Sequence, residues 1–182
     1  MNMTTKKIAR LAILLALAIA SQFMKNLSVY ITGPIINAIL ILATLSCGLG
    51  GGVILSVITP LTSWLITGSP VMSAMPAIIP CVMLGNFVIC LFVYLFTKNK
   101  ENKVQLILGE IVGSAAKAVC MYLTIAVGVI QIFGPSSGLP DKALVVAKTT
   151  FSITQLITAL IGSVLAYLIW IPLKKAIKNN KW

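Results

Sequence analysis

Long apolar runs, separated by short polar or glycine- and proline-rich breaks, dominate this chain. The first covers residues 8–24 and ends at Lys25 and Asn26. The second covers about 29–47, opened by Thr32-Gly33-Pro34 and followed by Gly48-Leu49-Gly50-Gly51-Gly52, a cluster expected to interrupt a helix because of its backbone freedom. The third runs from 53 to about 67 with Pro60 inside it, where the missing backbone donor predicts a kink or a break near Thr59-Pro60. Residues 68–76 carry breakers and methionines but no charge and predict a loop lying at the membrane surface. The fourth run is about 78–96, followed by the polar stretch 97–103. The fifth, 104 to about 133, exceeds the roughly 20 residues of one bilayer crossing and must tilt, kink or protrude. Residues 134–141 end it, and the sixth run, about 143–173, leads into a basic tail. The pattern predicts an all-α membrane protein, with six transmembrane helices forming a single domain over residues 1–182. Lys6, Lys7 and Ala18-Ile19-Ala20 give the first run the look of a signal peptide, but it is read here as a retained helix.

Composition agrees: 59% of the residues are hydrophobic and 9% charged, against about 45–50% and about 25% in soluble domains. A soluble reading is excluded. Six spans leave only short loops, with no room in the 182 residues for an ATPase domain of on the order of 100 residues. If ATP is used, a partner binds it.

The charge balance of 14 Lys and Arg to 3 Asp and Glu would suggest nucleic acid in a soluble protein, but here position decides. Lys6, Lys7 and Arg10, then Lys98, Lys100 and Lys103, then Lys174, Lys175, Lys178 and Lys181 flank the apolar runs. With six spans all three groups fall on one side, so the positive-inside rule places both termini in the cytoplasm. Lys25 and Lys142 fall in outer loops, and Lys117 and Lys148 within spans. There is no histidine, and Cys47, Cys81, Cys90 and Cys120 stand singly and are read as buried thiols. The glycine cluster lacks the lysine of a phosphate-binding loop. No metal or cofactor is expected.

An ionisable group in the hydrocarbon costs on the order of 3 kcal/mol and marks a functional candidate. Glu110 and Lys117 are seven residues apart, on one helix face at roughly 10 Å, so Lys117 either pairs with Glu110 or faces a ligand. Lys148 either snorkels to the outer surface or meets an anionic ligand. Lys148, Ser152 and Gln155 follow helical spacing, continued by the small residues Ala159, Gly162 and Ala166. Asn86 beside Gly85 suits either an interhelical hydrogen bond or a ligand, while Gly109 and Gly113 suggest close packing. Ala12, Ala16 and Ala20, with Ala9 nearby, form a small-residue face that another helix can approach, inside or outside the bundle.

Six spans, the alanine face, Thr32-Gly33-Pro34 through Asn37-Ala38, Thr59-Pro60, the stretch from Pro76 and Pro80 to Gly85-Asn86, and Gln155 through Gly162 together resemble the substrate-binding S component of energy-coupling factor (ECF) transporters. The resemblance spans nearly the whole chain. It implies a six-helix subunit of a prokaryotic cell membrane that captures a vitamin or related micronutrient from outside. It also implies docking through Ala12, Ala16 and Ala20 to a transmembrane coupling (T) component, with two cytoplasmic ATPases driving uptake, and a pocket toward the outer side.

Two lysines against one carboxylate inside the membrane favour a small anionic substrate, since a bound anion relieves an unpaired ammonium. Lys148 is the first expected partner and Lys117 the second, with Asn86 and Gln155 reading neutral polar groups. Residues 25–32 and 68–76 are expected to cover the pocket, with Trp64 either at its rim or anchoring the membrane interface. Two rivals from other classes are a free-standing secondary transporter or channel using Glu110 as an ion site, and an intramembrane Ser-Lys enzyme. The first lacks a matched pair of broken helices; for an enzyme no histidine or paired carboxylate is at hand, which leaves a Ser-Lys dyad using Lys117 or Lys148 as the form it could take.

Overall fold

The computed structural model describes residues 3–24, 28–98 and 102–178. Lys25, Lys100, Lys181 and the Lys178 side chain, with residues 25–27 of the expected covering loop, lie outside the described part. The architecture is all-α. Helix α1 spans Met3–Gln22, α2 Val29–Cys47, α3 Leu49–Thr67, α4 Pro70–Ala74 and α5 Ile78–Thr97. Helix α6, Lys103–Met121, continues through a π-helical segment, Tyr122–Val129, into α7, Ile130–Phe133. Helix α8 is Asp141–Thr150 and α9 is Ile153–Lys178. Five segments are long and apolar enough to cross a membrane: Val29–Cys47, Leu49–Thr67, Ile78–Thr97, Lys103–Phe133 and Asp141–Ile177. Helix α1, 20 residues long with Lys6, Lys7 and Arg10 in its first half, packs against α2 and α3.

Local chemistry sets the helix ends. Ser28 caps α2, its hydroxyl accepting from the Tyr30 backbone N–H at 3.1 Å, and Asn102 caps α6 by accepting from Val104 at 3.1 Å. The break between α2 and α3 is Gly48 alone, at φ 84°, where a side chain would be strained. The expectation that residues 50–52 interrupt the helix is therefore corrected, since α3 already begins at Leu49. The bundle uses those glycines: a Cβ at Gly51 would stand 2.6 Å from that of Cys47, and one at Gly52 would collide with Thr44 Oγ1. Helix α3 also runs on through Pro60. Residues 68–76 are not wholly loop, because α4 lies within them and buries Met72.

The last apolar run is two helices rather than one. The chain turns at Phe151 and Ser152 between α8 and α9, with Phe151 N–H bonded to Ala147 O at 2.9 Å and Ser152 N–H to Thr149 O at 3.3 Å. Of the four cysteines only Cys90 is fully buried; the other three are half-buried, and all are free thiols.

Two apolar clusters hold the bundle. One joins Leu40, Ile41, Leu55, Ile89 and Val93 of α2, α3 and α5 to Ala18, Ala159 and Ala166. The other gathers Met72, Met75, Ile78, Met121, Ile125 and Phe151 under α4 and α8. Small residues permit the closest approaches. A Cβ on Gly162 would fall 2.6 Å from Asn37 Cβ and 2.7 Å from Pro34 O, and one on Gly33 would fall 2.9 Å from Thr158 Cβ, so α2 and α9 cross nearly backbone to backbone. Gly109 and Gly113 perform the same service against Phe96, Ile89 and Phe92 of α5.

Replacing Gly162 by Val should therefore force α9 from α2 and destabilise the protein by about 1–3 kcal/mol. The thermal unfolding midpoint in detergent should fall by on the order of 5 °C. Gly50→Ala, which meets nothing within 4 Å, should hold or slightly raise the midpoint. Equal midpoints for Gly162→Val and wild type would remove the close-crossing account.

Candidate binding cavity

The two ends of the bundle differ in chemistry. Arg10 Nη1 donates to Ser46 O at 3.4 Å and Cys47 Sγ to Lys7 O at 3.5 Å, tying α1 to the end of α2 where the basic groups gather. At the far end of α1, Gln22 Nε2 donates to Thr59 O at 3.0 Å. Beside this second contact lies a cavity of about 340 Å³, within the range of small-molecule sites.

Its floor is polar and comes from five helices. Lys117 of α6 is 3% exposed, and its ammonium nitrogen donates to Asn37 Oδ1 of α2 at 2.6 Å and to Asn86 Oδ1 of α5 at 2.8 Å. Asn37 Nδ2 donates in turn to Gly33 O at 2.9 Å, and Asn86 Nδ2 reaches Thr59 Oγ1 of α3 at 3.5 Å. Gln22 of α1 completes the ring through Thr59 O. The amide orientations follow from these partners, because an exchanged Gln22 amide would set oxygen against the Thr59 carbonyl. Val29, Ile36, Val71, Met72, Val82 and Phe151 supply apolar wall.

Two donor and acceptor capacities remain open at this floor. An ammonium has three N–H donors, and two of those on Lys117 are engaged. Gln22 Oε1 is buried without a hydrogen-bond partner. The floor thus holds a cationic donor with one N–H unengaged and, separately, a buried amide oxygen without a partner.

Lys117 and Asn86 meet at the floor, and Gln155 lines the cavity at the start of α9. Lys117 turns to amides rather than to Glu110, which is buried at 3% exposure and whose Oε1 lacks a partner. Lys148 is exposed and outside the lining. Helix α8 presents Ala143, Val146, Ala147 and Thr150 to the cavity, which turns Lys148 away, and the turn at Phe151 severs its register with Gln155. Trp64 also stands outside the lining. It packs half-buried on the methionine cluster and donates from Nε1 to Ser73 Oγ at 3.1 Å, pinning α4 to α3. Ser69, Val71 and Met72 of the 68–76 stretch, and Val29 and Thr32 of α2, line the cavity. Asn37, Gln22 and Thr59 were not singled out as site residues in the sequence; their signal was an amide or hydroxyl in an otherwise apolar span.

Ala12, Ala16 and Ala20 are exposed together with Ile8, Ile13 and Leu17, while Ala18, Ser21 and Gln22 turn inward. This face therefore does not pack inside the bundle. Among the described residues no group of His, Cys, Asp and Glu is placed to hold a metal ion.

A family model described as "ECF transporter, substrate-specific component" matches residues 6–174. No curated protein and no solved structure matches the chain.

The floor should behave as a coupled unit. Asn37→Leu, which strips an acceptor from a buried ammonium, should cost about 1–3 kcal/mol, and Lys117→Met should leave two amide oxygens without their donor. The double variant should be less destabilised than the sum of the singles by about 0.5–3 kcal/mol. Strict additivity in thermal unfolding would contradict the network.

Proposed function

Because the chain belongs to the substrate-specific components of ECF transporters, we propose that it captures a small anionic, vitamin-like molecule from outside the cell, with Lys117 as its principal anchor. Membership implies association with a transmembrane coupling component and cytoplasmic ATPases, and it leaves the reading as a free-standing channel, like that as an enzyme, without support. In the proposed orientation α1 is a sixth span and the basic ends of the helices lie in the cytoplasm of a prokaryotic cell. Lys117, roughly 21 Å along α6 from its basic end, then sits in the outer half of the bilayer, and the cavity faces outward.

The observation that carries the proposal is the Lys117 ammonium held by two neutral amides, with no carboxylate bonded to it. An anionic ligand would supply the missing countercharge in a site shielded from water, where charge-assisted bonds are strongest. Gln155, in the cavity lining, is a further polar contact. A pantothenate-like or nicotinate-like acid has the right charge. Residues 68–76 are proposed to move over the site, carried by α4 and restrained by the Trp64–Ser73 bond. Lys148, first choice from the sequence, becomes a surface residue in this reading. The outward alanine face is the proposed docking surface for the coupling component.

Mass spectrometry of the co-purified small molecule should find an anion. Lys117→Met should weaken its binding about ten- to a hundredfold, whereas Lys148→Ala should leave affinity within about twofold. A neutral ligand, or full affinity in Lys117→Met, would refute the anion assignment. Ala12→Trp with Ala16→Trp should abolish complex assembly and uptake while ligand binding persists. Normal assembly by this double variant would dismiss the docking face.

A further inference from the structure

A second cavity, of about 390 Å³, opens at the opposite end of the bundle. Four lysines line it: Lys98 just past α5, Lys103 at the start of α6, and Lys174 and Lys175 near the end of α9. No acidic side chain stands among the described lining residues. Three aromatic residues, Tyr94, Tyr167 and Trp170, face the same space, with Leu45, Leu106 and Ile171 as apolar wall. Neither the capture of the ligand nor the docking through α1 uses any of these groups.

The arrangement is amphipathic along the membrane normal. The lysines stand at helix ends, where long side chains lift their ammonium groups to the membrane surface. Tyr and Trp favour the boundary between headgroups and hydrocarbon, and the aliphatic residues lie among them. A soluble phosphate would use the lysines and leave the apolar wall idle. A phospholipid uses both, its headgroup among the ammonium groups and the upper part of its acyl chains along the wall.

We propose that this cavity is a binding site for an anionic phospholipid of the cytoplasmic leaflet, such as phosphatidylglycerol. Basic pockets between membrane helices on that side recognise such headgroups. The lipid would bridge the α5–α6 turn to the end of α9, clasping helices far apart in sequence. The inference rests on the membrane assignment and on the orientation proposed above, not on the identity of the captured ligand.

The test uses the full chain purified in detergent and offered equal amounts of phosphatidylglycerol and phosphatidylcholine, with native mass spectrometry as the readout. Wild-type protein should retain phosphatidylglycerol at least about fivefold over phosphatidylcholine. The triple variant Lys98→Gln, Lys103→Gln, Lys175→Gln should lose that preference and still bind the ligand of the first cavity. Should the triple variant misfold, Trp170 fluorescence in a Trp64→Phe, Trp182→Phe background gives a second reading with every lysine intact. Acyl-brominated phosphatidylglycerol should quench it more than the brominated phosphatidylcholine does. Equal retention or equal quenching of the two lipids overturns the proposal. So does displacement of phosphatidylglycerol by a large excess of inorganic phosphate, which would make the cavity a simple phosphate site. An unchanged preference in a folded triple variant also overturns it.

Discussion

The rest of the cavity is organised around one buried ammonium group. Lys117 cannot leave all its donors unsatisfied inside an apolar bundle without a cost of several kcal/mol, and among the described residues no carboxylate is bonded to it. Its partners are the amide oxygens of Asn37 and Asn86. Each asparagine is fixed in turn, one by a backbone carbonyl of its own helix and the other by Thr59. Satisfying a single cation thus draws α2, α3, α5 and α6 to one point, and Gln22 brings α1 to the same place through Thr59. Amides accept the ammonium's hydrogen bonds but bring no countercharge of their own.

Such a floor needs helices that stand close. Asn37 lies on the face of α2 that meets Gly162 of α9, and a Cβ there would strike Asn37 itself. Gly85, one residue before Asn86, faces Met121 so closely that its own Cβ would stand 2.5 Å from Met121 Cγ. The small residues therefore do more than pack: they set the depth at which the two asparagines can reach Lys117. The Lys117 floor and the packing of the bundle depend on the same few positions. Substitutions that enlarge those glycines are accordingly expected to act on the site as well as on stability.

The two ends of the bundle divide the chemistry. The cavity at one end is lined mainly by neutral side chains with a single cation at its floor, and the cavity at the other concentrates lysine among aromatic residues. An importer subunit benefits from this asymmetry. In the proposed orientation the basic helix ends face the cytoplasm, while the first cavity keeps its one lining cation, Lys117, buried at its floor.

The sequence by itself determined the class of the protein and most of its helices, since a run of apolar residues needs no partner to declare a span. It also determined that Lys117 and Asn86 were exceptional, because polar groups in such runs must be accommodated somewhere. Tertiary structure decided which of several accommodations holds. Lys117 could have turned to Glu110 along its own helix, but the nearer oxygens came from α2 and α5, which no spacing rule connects to it. Helical spacing aligns Lys148 with Gln155 only on a straight helix, and the two-residue turn at Phe151 and Ser152 takes Lys148 out of register. Gly50, Gly51 and Gly52 looked like a break because their intrinsic helix propensity is poor. Gly51 packs against Cys47 and Leu11, and Gly52 against Thr44 and Cys90, too closely to admit a side chain, and contacts between distant segments are what a one-dimensional pattern does not encode.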